Sequence, residues 1–190
     1  QLTATIEAML ADPRAKDALK AFGWQWLRGP SAQAAQIDGS LTGFSEDLRA
    51  SALLELDALV GEFVAGDGKV REVILPPYTF VDDRLATLYG FGASTGGLTK
   101  TPAPAGQSRR GLFGTAGFFL ATSEGTESSV TRQGLYVRDV TLCDSIPAPP
   151  ANIGDRVAAD PKLGTSAGRL ETPECAACHL KMDPIGKGLG

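Results

Sequence analysis

The chain has 190 residues, of which 43% are hydrophobic and 21% charged, for a net charge of −4; that is enough apolar material for one globular domain or two small ones, and intrinsic disorder is excluded. With 18 basic against 22 acidic side chains there is no electrostatic footprint for nucleic acid or anionic lipid. The longest apolar stretches, such as residues 112–122, are interrupted by glycine and fall short of the roughly 18 residues that span a bilayer, so no membrane span is expected.

Leu2, Ile6, Met9 and Leu10 predict a first helix. Asp12 and Pro13 then supply a cap and an N1 proline for a second, in which Ala15, Leu19, Phe22 and Trp26 share a face up to Arg28, Gly29 and Pro30. An antiparallel pair is expected. Ser45 is placed to cap a longer helix whose stripe is Leu48, Ala52, Leu56, Leu59 and Phe63, and Gly66, Asp67 and Gly68 stop it. Val73, Ile74 and Leu75 precede Pro76 and Pro77, a context that favours a loop over a strand. Asp82 or Asp83 opens another helix, with Leu85, Leu88 and Tyr89 inward and Gly90 near its end.

Residues 92–107 are rich in Gly, Thr and Pro and predict a long loop. Two further helix candidates, 112–121 and 130–143, are weakened by Gly114, Gly117 and Gly134. Prolines at 147, 149 and 150 break any continuation, and residues 144–174 read as irregular. The predicted organisation is a helical domain over 1–92, a Gly/Thr/Pro linker loop over 93–107, and a module of helices and loops over 108–190.

The chemistry lies at the end of that last module. The chain has three cysteines and one histidine, and Cys175, Cys178 and His179 fall together as Cys-x-x-Cys-His, the attachment pattern of a c-type haem. In a shuffled chain of this composition such a string arises about 2 times in 10,000. The spacing has a mechanical reason: one helical turn presents both thiols to the two vinyl groups of one porphyrin edge, and the next residue offers its imidazole to the iron. Two other readings use the same residues. Cys143, Cys175, Cys178 and His179 have the ligand types of a Cys3His zinc site, although adjacent Cys178 and His179 would both have to reach one tetrahedral ion. A Cys175–Cys178 disulfide of thioredoxin type lacks the βαβ pattern that should surround it.

The string over residues 175–189 resembles the haem segment of the large planctomycete-type multidomain cytochromes, extracytoplasmic proteins with domains of unknown function. The stretch 78–90, Arg110, Gly111 and Leu112, Arg132 to Gly134, and the proline run ending at Pro150 resemble other parts of that family, so the likeness covers most of 40–190. Together with the helical runs read from the residues, it implies a mainly α fold, an irregular helical domain with long loops and a C-terminal cytochrome-c-like haem-attachment segment. It also implies one covalent haem c held by Cys175, Cys178 and His179, with the iron on His179. Covalent haem attachment is completed outside the cytoplasm, so a periplasmic or otherwise extracytoplasmic setting is expected, and the resemblance further implies a redox partner protein or further domains of the same protein. Family members often carry a histidine shortly before the first haem cysteine, where this chain has residues 169–174 without one. Such proteins usually extend beyond the haem motif on both sides, so these residues are expected to be a portion of a longer protein.

The leading expectation is therefore a c-type cytochrome module for electron transfer. The alternatives are a haem-dependent oxidoreductase with an open iron site, a peroxidase or dehydrogenase component, and an envelope scaffold. Hydrolysis by a Ser or Cys triad is disfavoured, because the single histidine belongs to the motif. Asp82 and Asp83 are read as helix cap and dipole partner, Trp24 and Trp26 as core or haem shielding, and Cys143 as a small buried hydrophobe. Glu124 and Glu127 are assigned to a solvated loop. Met182 is not expected to be a second iron ligand, because three residues of chain from His179 reach only about 10 Å and would have to pass round the macrocycle edge.

Overall fold

The computed structural model describes residues 2–65, 69–92, 96–104 and 111–189, without the side chains of Val73, Glu124 and Glu127. Helix makes up 66% of it, so the fold is mainly α as expected. Packing divides the chain into two compact units, one up to Thr126 and the other from Glu127 onward. Among the described residues no helix is long and apolar enough to cross a membrane.

The first unit contains α1 (Leu2–Ala11), α2 (Pro13–Trp26), α3 (Gly29–Ala34), α4 (Glu46–Ala65), α5 (Val70–Ile74), α6 (Asp83–Tyr89) and α7 (Ala116–Thr122). Strands β1 (Tyr78–Val81) and β2 (Thr99–Pro102) pair antiparallel, Tyr78 opposite Pro102 and Val81 opposite Thr99. Asp12 caps α2 by accepting from the Arg14 N–H, and Pro13 opens that helix as its N1 residue. Ser45 caps α4, its hydroxyl oxygen accepting from the Leu48 N–H at 3.1 Å. The centre of α4 supplies the core: Ala52, Leu56, Leu59 and Val60 are buried. Ala52 belongs to a cluster with Ala32, Val81, Leu85, Ala86, Tyr89, Ala116 and Leu120.

One charged side chain lies inside this core. Glu55 is 1% exposed, and its carboxylate accepts from the Thr79 hydroxyl at 2.5 Å, the Tyr89 hydroxyl at 2.6 Å and the Ala116 N–H at 3.2 Å. Three donors from β1, α6 and the start of α7 compensate the desolvation of one carboxylate, so α4 is tied to three elements by a single residue.

Several expectations need correction in this unit. Residues 73–75 are not simply loop: α5 runs to Ile74, and Leu75 leaves helical conformation because the proline that follows excludes it. Part of the expected 93–107 loop is strand β2, whose Thr99 and Thr101 suit a pleated edge. Residues 93–95 and 105–107 of that loop, and the Gly66–Asp67–Gly68 helix stop, lie outside the described residues. In α6 the inward set is Leu85, Ala86 and Tyr89, and Leu88 is exposed, because a helix of seven residues buries one narrow stripe. The apolar residues of α1 stay exposed, and α2 buries only Gly23. Trp24 and Trp26 are half-buried rather than core. Trp26 stacks on Phe22 with ring centroids 6.3 Å apart and tilts against Phe63 at 6.4 Å.

The second unit contains α8 (Val130–Tyr136), continued by a π turn over Val137–Thr141, then α9 (Ile153–Ala159), α10 (Ser166–Glu171) and α11 (Pro173–Lys187). Residues 144–174 are thus less irregular than expected. Their helices are short and carry no long apolar period. Two of these segments nonetheless have a local start signal: Asp160 accepts from the Lys162 N–H ahead of a 3-10 turn, and Thr165 accepts from the Gly168 N–H at the start of α10. Cys143 follows the π turn with φ of +52° and is exposed, not buried. The left-handed conformation that ends the helical run there carries its side chain outward.

Candidate functional site: the Cys-x-x-Cys-His helix

Thr172 and Pro173 start α11, Glu174 sits in its first turn and Lys187 in its last, an arrangement that suits the helix dipole at both ends. The helix passes unbroken through Pro184. Cys175, Cys178 and His179 all lie on α11 and all are half-buried. At 3.6 residues per turn they fall within about 100° of arc, so one face presents both thiols and the imidazole. Both thiols are free.

His179 is anchored from behind. Its Nδ1 lies 3.0 Å from Oδ1 of Asp183, one turn further along the same helix. Asp183 is 0% exposed. The same carboxylate accepts from the Thr131 hydroxyl of α8 at 2.8 Å and the Ser166 hydroxyl of α10 at 3.2 Å. The Arg169 guanidinium stands 3.6 Å from its other oxygen. Arg169 also donates to the Gly164 carbonyl at 2.8 Å. Burial acts to raise the Asp183 pKa, but the hydrogen bonds from His179, Thr131 and Ser166 and the attraction of the imidazole outweigh it and hold the group below the ordinary aspartate value.

The fold brings Thr131 to Asp183 through a close antiparallel crossing of α8 and α11. A Cβ placed on Gly134 would stand 1.9 Å from the Met182 carbonyl oxygen, and one placed on Gly186 would stand 1.9 Å from the Val130 carbonyl oxygen. Glycine at both positions lets the two main chains touch at points one turn apart on each helix. Gly134 was expected to weaken its helix; its role is to admit the neighbour. Beside it on α8, Gln133 is fully buried, and neither its amide nitrogen nor its oxygen has a hydrogen-bond partner among the described residues.

Of the residues picked out in the sequence, Cys175, Cys178 and His179 share one helical face, whereas Cys143 does not join them. Among the described residues no three His, Cys, Asp or Glu side chains converge as a metal-binding group, so the Cys3His zinc set is not assembled. Asp82 is a cap, its carboxylate accepting from the Leu85 N–H at 2.9 Å. The side chains of Glu124 and Glu127 lie outside the described residues. Sequence reasoning missed Asp183, Thr131, Ser166 and Arg169. Only Asp183 had a readable signal, four residues beyond His179 on a helix.

Fold and site together define a mainly helical protein whose second unit carries a half-buried Cys-x-x-Cys-His face on a helix buttressed by a buried carboxylate. Residues 1–91 match the family model PSD4, a protein of unknown function (DUF1592), and residues 109–190 match PSCyt3, a protein of unknown function (DUF1588). No curated protein and no solved structure matches the chain.

Proposed function

We propose that residues 127–190 carry one covalently attached haem c and serve electron transfer in the bacterial envelope, passing electrons to and from a redox partner protein or further domains of the same protein. The observation that carries this reading is the single helical face that groups Cys175, Cys178 and His179, with both thiols free and the imidazole held through Nδ1. The donor set fits the group. Two thiols three residues apart suit the two vinyl groups of one porphyrin edge, and a neutral imidazole protonated on Nδ1 keeps its lone pair on Nε2 for iron. Each thiol adds across one vinyl group, sulfur bonding to the carbon next to the ring and hydrogen passing to the terminal carbon, so attachment itself transfers no electrons. A bound haem supplies a one-electron iron couple whose potential depends in part on its axial imidazole. The name of the matched family, PSCyt3, agrees with the resemblance of residues 175–189 to planctomycete-type cytochromes.

The test is expression with a haem-attachment system in an oxidising compartment, followed by denaturing gel electrophoresis with haem staining and intact mass. Colour that comigrates with the chain, and a mass increase of one haem, are expected. Cys175→Ser with Cys178→Ser should abolish both, and His179→Ala should remove the imidazole-ligated spectrum. A colourless band carrying stoichiometric zinc would overturn the proposal.

A further inference from the structure

We infer that Asp183 is a positioning residue for His179: it fixes the ring with the proton on Nδ1 and, by drawing on that proton, strengthens Nε2 as a donor and lowers the reduction potential of iron bound there. The inference rests on the haem reading above.

An ionised carboxylate accepts hydrogen bonds and cannot donate them, so the 3.0 Å contact requires the proton on Nδ1, and in the neutral ring the lone pair then sits on Nε2. A carboxylate behind a metal-binding imidazole sets both ring orientation and ligand basicity. The same pairing without a metal would be an ordinary i, i+4 helix contact, but the surroundings of Asp183 exceed what such a contact needs. The carboxylate is 0% exposed, and α8 and α10 each contribute a hydroxyl to it while Arg169 stands behind. A charge taken wholly out of water adds little to stability over an apolar residue of the same size. Its cost is matched by an effect on His179, the one side chain of α11 that it contacts. More negative charge beside the imidazole stabilises the oxidised, more positive iron relative to the reduced form, and so lowers the potential.

The test compares the haem-loaded protein with its Asp183→Asn variant by redox titration, with haem staining and thermal unfolding run in parallel. Asparagine keeps the shape and an oxygen acceptor but removes the charge. The expected result is retained covalent haem and a potential raised by at least a tenfold shift in the one-electron equilibrium, which is 59 mV. A folded, haem-stained variant with unchanged potential would overturn the inference, even if its unfolding temperature falls, because it would make Asp183 purely structural. If Asp183→Asn does not yield folded protein, Thr131→Val replaces it. That change keeps the charge and removes one donor from it, which frees the carboxylate to pull harder on His179, and the potential should fall; an unchanged potential there would equally overturn the inference. Failure of the unmodified protein to take up covalent haem would instead defeat the haem reading itself.

Discussion

Gly134 of α8 lies directly against the main chain of Met182 of α11, so close that a Cβ at residue 134 would stand 1.9 Å from the Met182 carbonyl oxygen. Helix propensity alone makes Gly134→Ala favourable by about 1 kcal/mol. The obstacle is a backbone atom, which cannot swing aside as a side chain can, and forcing the helices apart costs about 1–3 kcal/mol or more. Gly134→Ala should therefore lower the thermal midpoint of the unit that begins at Glu127, whereas Leu135→Ala, at an exposed neighbour, should change it little. An alanine variant as stable as the parent would show that the two main chains do not meet there.

Glu55 offers a second measurement, in the other unit. Glu55→Ala leaves the Thr79 and Tyr89 hydroxyls without their buried acceptor, at about 1–3 kcal/mol for each. The loss should reach several kcal/mol in urea unfolding and exceed that of Tyr89→Phe, which removes one hydroxyl and the second acceptor of the Ala116 N–H. Equal unfolding midpoints for Glu55→Ala and the parent would mean that the network adds nothing to stability.

These two residues mark where sequence reading stopped. Start signals were legible because they are local: Asp12, Ser45 and Asp82 cap the helices their positions announced. The stripe of α4 was legible at Ala52, Leu56 and Leu59 because a long helix repeats its period. Glu55 was not, since a carboxylate in such a stripe reads as solvated until the donors from β1, α6 and α7 are in place. The cysteines and histidine of the site were found because their chemistry is written in adjacent positions. The residues that support His179 come from α8, α10 and α11, and their meeting depends on Gly134 and Gly186, which in one dimension look only like weak helix formers. Cys143 was misplaced for a related reason: nothing local signalled the left-handed turn that exposes it.

Asp82 should make the first unit sensitive to acid. Burial raises its pKa, but the Leu85 N–H, the Ser51 hydroxyl and Arg84 together outweigh that and hold it below the ordinary aspartate value of 3.8. A carboxyl whose folded pKa is depressed adds stability that is present above its unfolded value and is lost as pH falls through the folded one. Asp82→Asn keeps a capping oxygen and gives up the charge. The variant should be less stable than the parent at neutral pH, and the gap should close in urea titrations carried below pH 3.8. A gap that stayed constant down that series would assign the effect of Asp82 to its shape alone.

Met182 bears on the second face of the proposed haem. It lies three residues beyond His179 on α11, one turn away on the same side of one helix, while a second axial ligand must approach the iron from the opposite face of the macrocycle. The residue is 5% exposed, and its carbonyl lies against Gly134, so Met182 is committed to the seam between α8 and α11. To reach the far side of a porphyrin edge, α11 would have to unwind between the two residues and give up the His179–Asp183 contact. Met182→Leu nearly conserves volume and should cost less than about 1.5 kcal/mol. In the haem-loaded protein it should leave the ligand-sensitive absorption bands of both oxidation states where they were. Disappearance of a methionine-to-iron band in that variant would show that α11 opens when haem binds.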